Sequence, residues 1–459
     1  MTQAFHHSGI PLTRLICFFC FFLFLQHLNA QEPWTLEKCI RYAQENNLQV
    51  KIQQLNVDNN NANLTQAYGS VLPNLSATTG LGFLNGHSVN PYTYQYTKSN
   101  QTTATFTVGG TVGLFNGLQK YYTIEQNRLS IQAALQDVEK AKNDISINVA
   151  TSYLQILYYN ELVKVDQYQA DLTRTQVARV QILVSAGSVP EGDLYDIKSQ
   201  LSQDELQLID DQNNLSIAKL TLSQLLELKD ANNFYIVEPG INIPLDTIML
   251  ETVNSIYNEA LTFLPEFKSF DLKIHSSEYS VKAAKSSYYP SLSGYYNYST
   301  GYSSEDYLYN MTTYTEQLIP FRNQLSDNAY LNYGFSLVIP IFSNYKIKTA
   351  VTLARISTSQ TEINMELAKK DVYKSIQQDY ANAINAKKKF IASIDAVTNY
   401  KEAFRYAQQK YENGAFNALE YNTAKTKLAK GEADLLQAKY DYLFRRKILD
   451  FYSGKPLSL

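Results

Sequence analysis

Apolar positions in the later part of the chain fall at Tyr373, Ile376, Tyr380, Ile384, Ile391, Ile394, Val397, Phe404, Ala407 and Tyr411. Steps of three, four and seven put them on one stripe of a helix that packs against another, in the manner of a coiled coil. Neither Gly nor Pro occurs between Leu118 and Ala186 or between Asn344 and Asn413, although the chain holds 18 Gly and 12 Pro. The pattern predicts two uninterrupted helices, each roughly 100 Å long at about 1.5 Å per residue. No single globular domain has a core that deep. Shorter helices are predicted over 36–68, 193–226, 250–287 and 419–451, with an irregular connector near 230–246 that carries Pro239, Gly240 and Pro244.

Between the helices the period changes from near 3.6 to two. Strands are predicted near 75–84, 103–115, 291–302 and 330–342. In the second, Ala104, Phe106, Val108, Val112 and Leu114 alternate with Thr103, Thr105, Thr107, Gly109, Thr111 and Gly113. In the fourth, Leu331, Tyr333, Phe335 and Leu337 alternate with Asn332, Gly334, Ser336 and Val338. Segments of about ten alternating residues suit tilted strands crossing a bilayer. Tyrosines crowd the strand ends, and Tyr92, Tyr288, Tyr289 and Tyr307 are candidates for an aromatic interfacial girdle. Four strands cannot close a barrel, and an open edge in lipid leaves backbone groups unsatisfied. Several chains must therefore share one barrel; three would supply about twelve strands, within the known even-stranded range.

The chain repeats itself. Setting Ala43 against Ala260 places Leu72-Pro73-Asn74-Leu75-Ser76 on Tyr289-Pro290-Ser291-Leu292-Ser293. With an offset ten residues larger, Gly113-Leu114-Phe115-Asn116-Gly117 falls on Pro340-Ile341-Phe342-Ser343-Asn344, and Ala186-Gly187 on Asn413-Gly414. An insertion between Tyr302 and Tyr330 accounts for the change, and its Tyr-, Ser-, Thr- and Asn-rich stretch over 303–329 is expected to be a polar loop, like that over 85–102. The expected organisation is a leader over 1–30, a first structural repeat over 31–240 and a second over 241–459.

The leader expectation rests on Arg14, an apolar run over 15–25 and Leu28-Asn29-Ala30, which read as a secretory signal cleaved after Ala30. The run is short for a bilayer span, so a retained anchor is the lesser reading. Beyond Ala30 the one cysteine is Cys39, which excludes an intramolecular disulfide in the mature chain and suits a buried, inert thiol. A formal net charge of -3 gives no reason to expect nucleic acid. His87 and His275, with Cys39, have no metal-site spacing, and no nucleophile, base and orienter grouping is visible. No cofactor, metal or enzymatic activity is expected.

The helix breaks are the most specific motifs. Ser185-Ala186-Gly187-Ser188-Val189-Pro190-Glu191-Gly192-Asp193 and Glu412-Asn413-Gly414-Ala415-Phe416-Asn417-Ala418-Leu419-Glu420 each place an acid six residues after Gly. They resemble the hairpin tips of the TolC family of outer-membrane efflux proteins, and the likeness covers essentially the whole mature chain. It implies a mainly α fold with a small β part: long antiparallel coiled-coil helices forming a trimeric periplasmic α-barrel, topped by a shared twelve-strand outer-membrane β-barrel with four strands per protomer. It further implies a homotrimeric exit duct in the outer membrane, working with a periplasmic adaptor and an inner-membrane transporter in efflux or type I secretion.

On that resemblance Gly187, Asp193 and Gly414 mark docking tips, while Glu420 and Thr423 occupy the gate positions. Glu420 would form a single acidic ring; Thr423 stands where well-known members carry a second acid. Phe416 stands where they carry an Arg, so their Arg-to-Asp latch cannot be transferred to Asp193. An acid in the first turn of a helix also serves simply as a helix-start device. A soluble periplasmic coiled-coil adaptor is the alternative reading of the chain, though two long hairpin arms and four amphipathic strands do not suit it.

Overall fold

Thr35 opens the first helix, α1 (Leu36–Asn46), by accepting a hydrogen bond from the Lys38 amide at 3.2 Å. The structure, a computed structural model, describes residues 33–89, 94–229, 235–240, 251–310, 312, 315–413, 415 and 417–458; the expected leader lies outside them. Leu36, Cys39 and Ala43 form the buried face of α1. Burial pushes the Cys39 thiol up to about 12. Asn47 then adopts an extended conformation, and its side-chain amide donates to the Leu225 carbonyl at 3.0 Å. The helix expected over 36–68 is thereby split, and α2 (Leu48–Gly69) begins anew.

From there the order is β1 (Ser76–Val89), β2 (Tyr96–Asn116), α3 (Gln119–Ser185) and α4 (Glu191–Leu225), then α5 (Val253–Phe263), α6 (Pro265–Ser286) and β3 (Ser291–Ser303). It continues with β4 (Tyr307–Asn310), β5 (Thr315–Leu318), α7 (Phe321–Asp327), β6 (Tyr330–Val338), α8 (Lys346–Glu412) and α9 (Ala418–Tyr452). The stretch expected as one helix over 250–287 is two, because Pro265 lacks the amide needed for continuation and sits instead at the start of α6. Each repeat carries one helix of 67 residues and one of 35. Among the described residues no helix is long and apolar enough to cross a membrane.

The chain folds as two units. One comprises Gln49–Ala141 and Tyr257–Ser375. Its centre is an antiparallel sheet of order β1-β2-β3-β6. Register puts Leu81 opposite Ala104, Val108 opposite Tyr298, Tyr298 opposite Leu331 and Tyr296 opposite Tyr333, so the apolar side chains share one face. That face is uncovered in the single chain: Phe83, Tyr333 and Phe335 are 70%, 74% and 77% exposed. The other face is polar, with the Thr107 and Ser299 hydroxyls 2.9 Å apart. Gly334 leaves room there for Tyr295, whose hydroxyl a Cβ would approach to 2.8 Å. β1 and β2 run further at their hairpin end than the alternation suggested, whereas β6 stops at Val338, two residues before Pro340.

The described part of the insertion between β3 and β6 carries regular elements rather than a plain polar loop. β4 and β5 pair as a hairpin, and α7 packs beside β3. Gln324 of α7, fully buried, accepts from the Ser303 amide at 2.7 Å and donates to the carbonyls of Ser303 and Ile319.

The second unit comprises Met1–Leu48, Lys142–Ile256 and Ile376–Leu459. Val149, Tyr153, Ile156 and Leu157 of α3 lie buried at helical spacing. Tyr153 binds the segment just before α1 to the inter-repeat connector. Its hydroxyl lies 2.7 Å from the Val237 carbonyl and 3.1 Å from that of Trp34, beside a parallel bridge between Trp34 and Ile236. Tyr153→Phe should lower stability by about 1–2 kcal/mol, mainly because the Val237 carbonyl loses this donor while that of Trp34 keeps the Val237 amide. Urea unfolding followed by emission from Trp34, the one tryptophan, measures this; an unchanged midpoint would remove the hydroxyl from the account.

Candidate functional site

Both tips lie in this second unit. At the first, the Ala186 amide bonds the Ile182 carbonyl at 3.0 Å and Ser188 bonds Leu183 at 2.9 Å, while Gly187 takes φ +71. A left-handed residue just past a helix end satisfies its last carbonyls, and glycine adopts it without strain. Pro190 caps α4, whose first turn carries Glu191 and Asp193. Val180, Leu194 and Ile197 pack beneath with Val177, Val184 and Val189, closing the hairpin.

At the second tip the helix-start role of Glu420 is physically present. Asn417 accepts from the Glu420 amide at 2.9 Å, and the Glu420 carboxylate accepts from the Asn417 amide at 3.2 Å, a reciprocal capping box. Glu420 is nonetheless exposed. Thr423, also exposed, turns its hydroxyl onto the Leu419 carbonyl at 2.8 Å. Gly414 and Phe416 lie outside the described residues, as does Tyr92. In the other unit, Tyr288 and Tyr289 stand before the start of β3 and Tyr307 just beyond its end, all exposed.

Several contacts join the hairpins below the tips. Tyr421 stacks on Tyr411 with centroids 4.9 Å apart, in a cluster with Val397, Phe404 and Leu428 against which Leu172 of α3 packs. Arg179 of α3 lies 4.0 Å from Glu412 of α8, an exposed pair. Its base belongs to the first hairpin and its acid to the second. Deeper, Lys425 of α9 is 2% exposed and lies 2.5 Å from Asp204 of α4. It also donates to the Thr173 hydroxyl of α3, which in turn donates to Asp204. Burial pulls the Lys425 ammonium below its ordinary range, and the bond to Asp204 opposes that pull. Sequence reasoning missed this clamp. Its signal was a lysine inside the apolar stripe of Tyr421, Lys425 and Leu428, at steps of four and three.

The profile of the outer membrane efflux protein family matches residues 39–227 and 256–455, most of the chain. The chain belongs to that family. This outer membrane efflux protein therefore has its place in the outer membrane and extends into the periplasm. It is 24% identical over 320 residues to the toxin and drug export protein A of Aggregatibacter actinomycetemcomitans, a match covering 68% of this chain. That match spans less than two thirds of the relative's own length, 64%. The fold is similar to the CmeC outer membrane channel of Campylobacter jejuni, with a TM-score of 0.74 at 17% identity over 92% of this chain and 87% of that one. It is also similar to the outer membrane protein VceC of Vibrio cholerae, with a TM-score of 0.70 at 14% identity over 92% and 96%. Family and fold are those of channel proteins.

The clamp makes a sharp energetic prediction for this efflux protein. Lys425→Ala leaves Asp204 buried without its cation and should cost about 3–5 kcal/mol, whereas the double change Lys425→Met with Asp204→Leu should recover most of that. Chemical denaturation of the three proteins checks it. Equal losses in single and double variants would mean that packing, not charge pairing, holds the site.

Proposed function

We propose that three copies of this chain form one exit duct, each giving four strands to a shared twelve-strand barrel and two helical hairpins to a periplasmic tunnel. The observation that carries this reading is the sheet: an apolar face in continuous register, uncovered, on four strands whose outer members β1 and β6 each pair on one side only among the described residues. In water such a surface and such edges are an aggregation hazard. In lipid the face is required, and neighbouring copies supply the missing edge bonds. The polar face, lined by Thr, Ser, Asn and Gly, then surrounds the lumen. Tyr288, Tyr289 and Tyr307 suit the two interfacial girdles. A soluble adaptor has no use for this sheet and is not favoured.

In this reading the duct is passive. It takes cargo from an inner-membrane transporter through a periplasmic adaptor that meets the hairpin tips around Gly187, Asp193 and Gly414. The relative that exports toxins and drugs supports efflux or type I secretion as the class of work. Glu420, exposed and fixed by its capping box, contributes one carboxylate per subunit to a ring at the tunnel entrance, with Thr423 one turn further in. Such a ring favours cations over anions.

Two measurements test this. Membrane fractionation should recover the protein as a detergent-soluble trimer of the outer membrane; a freely soluble monomer would overturn the duct. Glu420→Gln keeps the capping box and removes the charge, so in planar bilayers it should reduce cation preference with no loss of stability. Unchanged selectivity would reduce Glu420 to a helix cap.

A further inference from the structure

The α3 and α4 helices run antiparallel, and their polar core positions repeat after one heptad. Thr173 faces Asp204, and two turns away Asp166 faces Asp211, each pair displaced by seven residues on both helices. The first layer is filled from within the chain by the Lys425 ammonium of α9. The second opens on a cavity of about 500 Å³, lined by Asp166, Gln169 and Asp211 together with Ala429 and Ala433 of α9. Where α9 sends a lysine to the first layer, it presents Ala429 and Ala433 to the second, with Lys430 also lining the cavity.

The acceptors of that second layer outnumber their donors. Asp211 is 4% exposed and accepts from Gln207 at 2.7 Å and from Asn214 at 3.3 Å. Apart from a proton that Asp166 can share with Asp211, Asp166 Oδ2 and Gln169 Oε1 are buried and receive no hydrogen bond, and Gln169 as a whole is 5% exposed. Orphan buried acceptors are costly, and two of them one turn apart beside a second carboxylate call for a group with several N–H donors. Among the described residues no three His, Cys, Asp or Glu side chains are grouped to hold a metal ion. The chain itself displays the chemistry that fits, a primary ammonium on a carboxylate and a neutral oxygen.

We propose that Asp166, Gln169 and Asp211 form a binding site for a small organic cation bearing a primary ammonium, seated as Lys425 is seated one heptad away. The ammonium donates to Asp166 Oδ2, to Gln169 Oε1 and to Asp211, and the cavity beside Ala429 and Ala433 receives the carbon chain. The site does not depend on what the duct conducts or on how many copies form it.

Protons compete for the same oxygens. Burial first, then the hydrogen bond and charge of Asp211 and the charge of Asp204, raise the Asp166 carboxyl from 3.8 to about 7. The remaining charged groups at the cavity are Lys425, already engaged by Asp204, and Lys430, both on α9. Because the folded value lies above the unfolded one, the stability this group contributes is full below 3.8 and is lost as pH rises through about 7. An ammonium, still protonated well above that pH, replaces the shared proton, so binding strengthens as pH rises through the same range.

The test uses the full, detergent-solubilised protein with n-propylammonium as probe and tetramethylammonium, which has no N–H donor, at equal ionic strength. Thermal unfolding should shift upward with n-propylammonium at pH 8, by much less at pH 5.5, and not at all with tetramethylammonium. Asp166→Asn, which removes the charge while preserving shape, and Ala433→Leu, which fills the cavity without touching a charge, should each weaken the probe at least about tenfold. Equal shifts from both cations would reveal screening alone and overturn the site. Undiminished n-propylammonium binding in both variants would overturn it as well.

Discussion

A backbone amide or carbonyl at membrane depth has no water to bond, and that constraint governs this molecule more than any contact within it. The four strands satisfy one another through their shared registers, but β1 and β6 end the sheet within the chain. Their outward backbone groups need partners, and the apolar face needs hydrocarbon. In the duct we propose, identical neighbours in lipid meet both needs and complete the sheet.

The hairpin ends separate two jobs that one residue type could perform. Glu420 is held by a capping box and still presents its carboxylate outward, so helix initiation and surface charge coexist in one side chain. Lys425, five residues on, turns inward and fastens the second hairpin to both helices of the first. The aromatic stack of Tyr411 on Tyr421 fills the space between these levels.

Much of this was legible in the sequence because it follows from periodicity. Stripes at three and four residues marked the long helices, alternation marked the sheet, and the two Gly-to-acid spacings marked the tips. What was not legible depended on partners distant in sequence or on a single backbone group. The split at Asn47 follows from a bond to Leu225, 178 residues away. The split at Leu264 was signalled by Pro265 and overridden by the apolar pattern around it. The insertion read as polar loop because its order rests on one amide, that of Gln324, engaging backbone groups that no composition reveals. The clamp at Lys425 looked like a misplaced charge until Asp204 and Thr173 were beside it.

Of the ion pairs that cross between the hairpins, the two nearest the tips differ in their access to solvent. Arg179 and Glu412 stand in water, where dissolved electrolyte shortens the reach of charge to roughly 8 Å at physiological strength. Lys425 and Asp204 are sheltered from it. In brine or after osmotic upshift the outer pair slackens while the inner one persists, so the hairpin ends can loosen at their outer contact without coming apart.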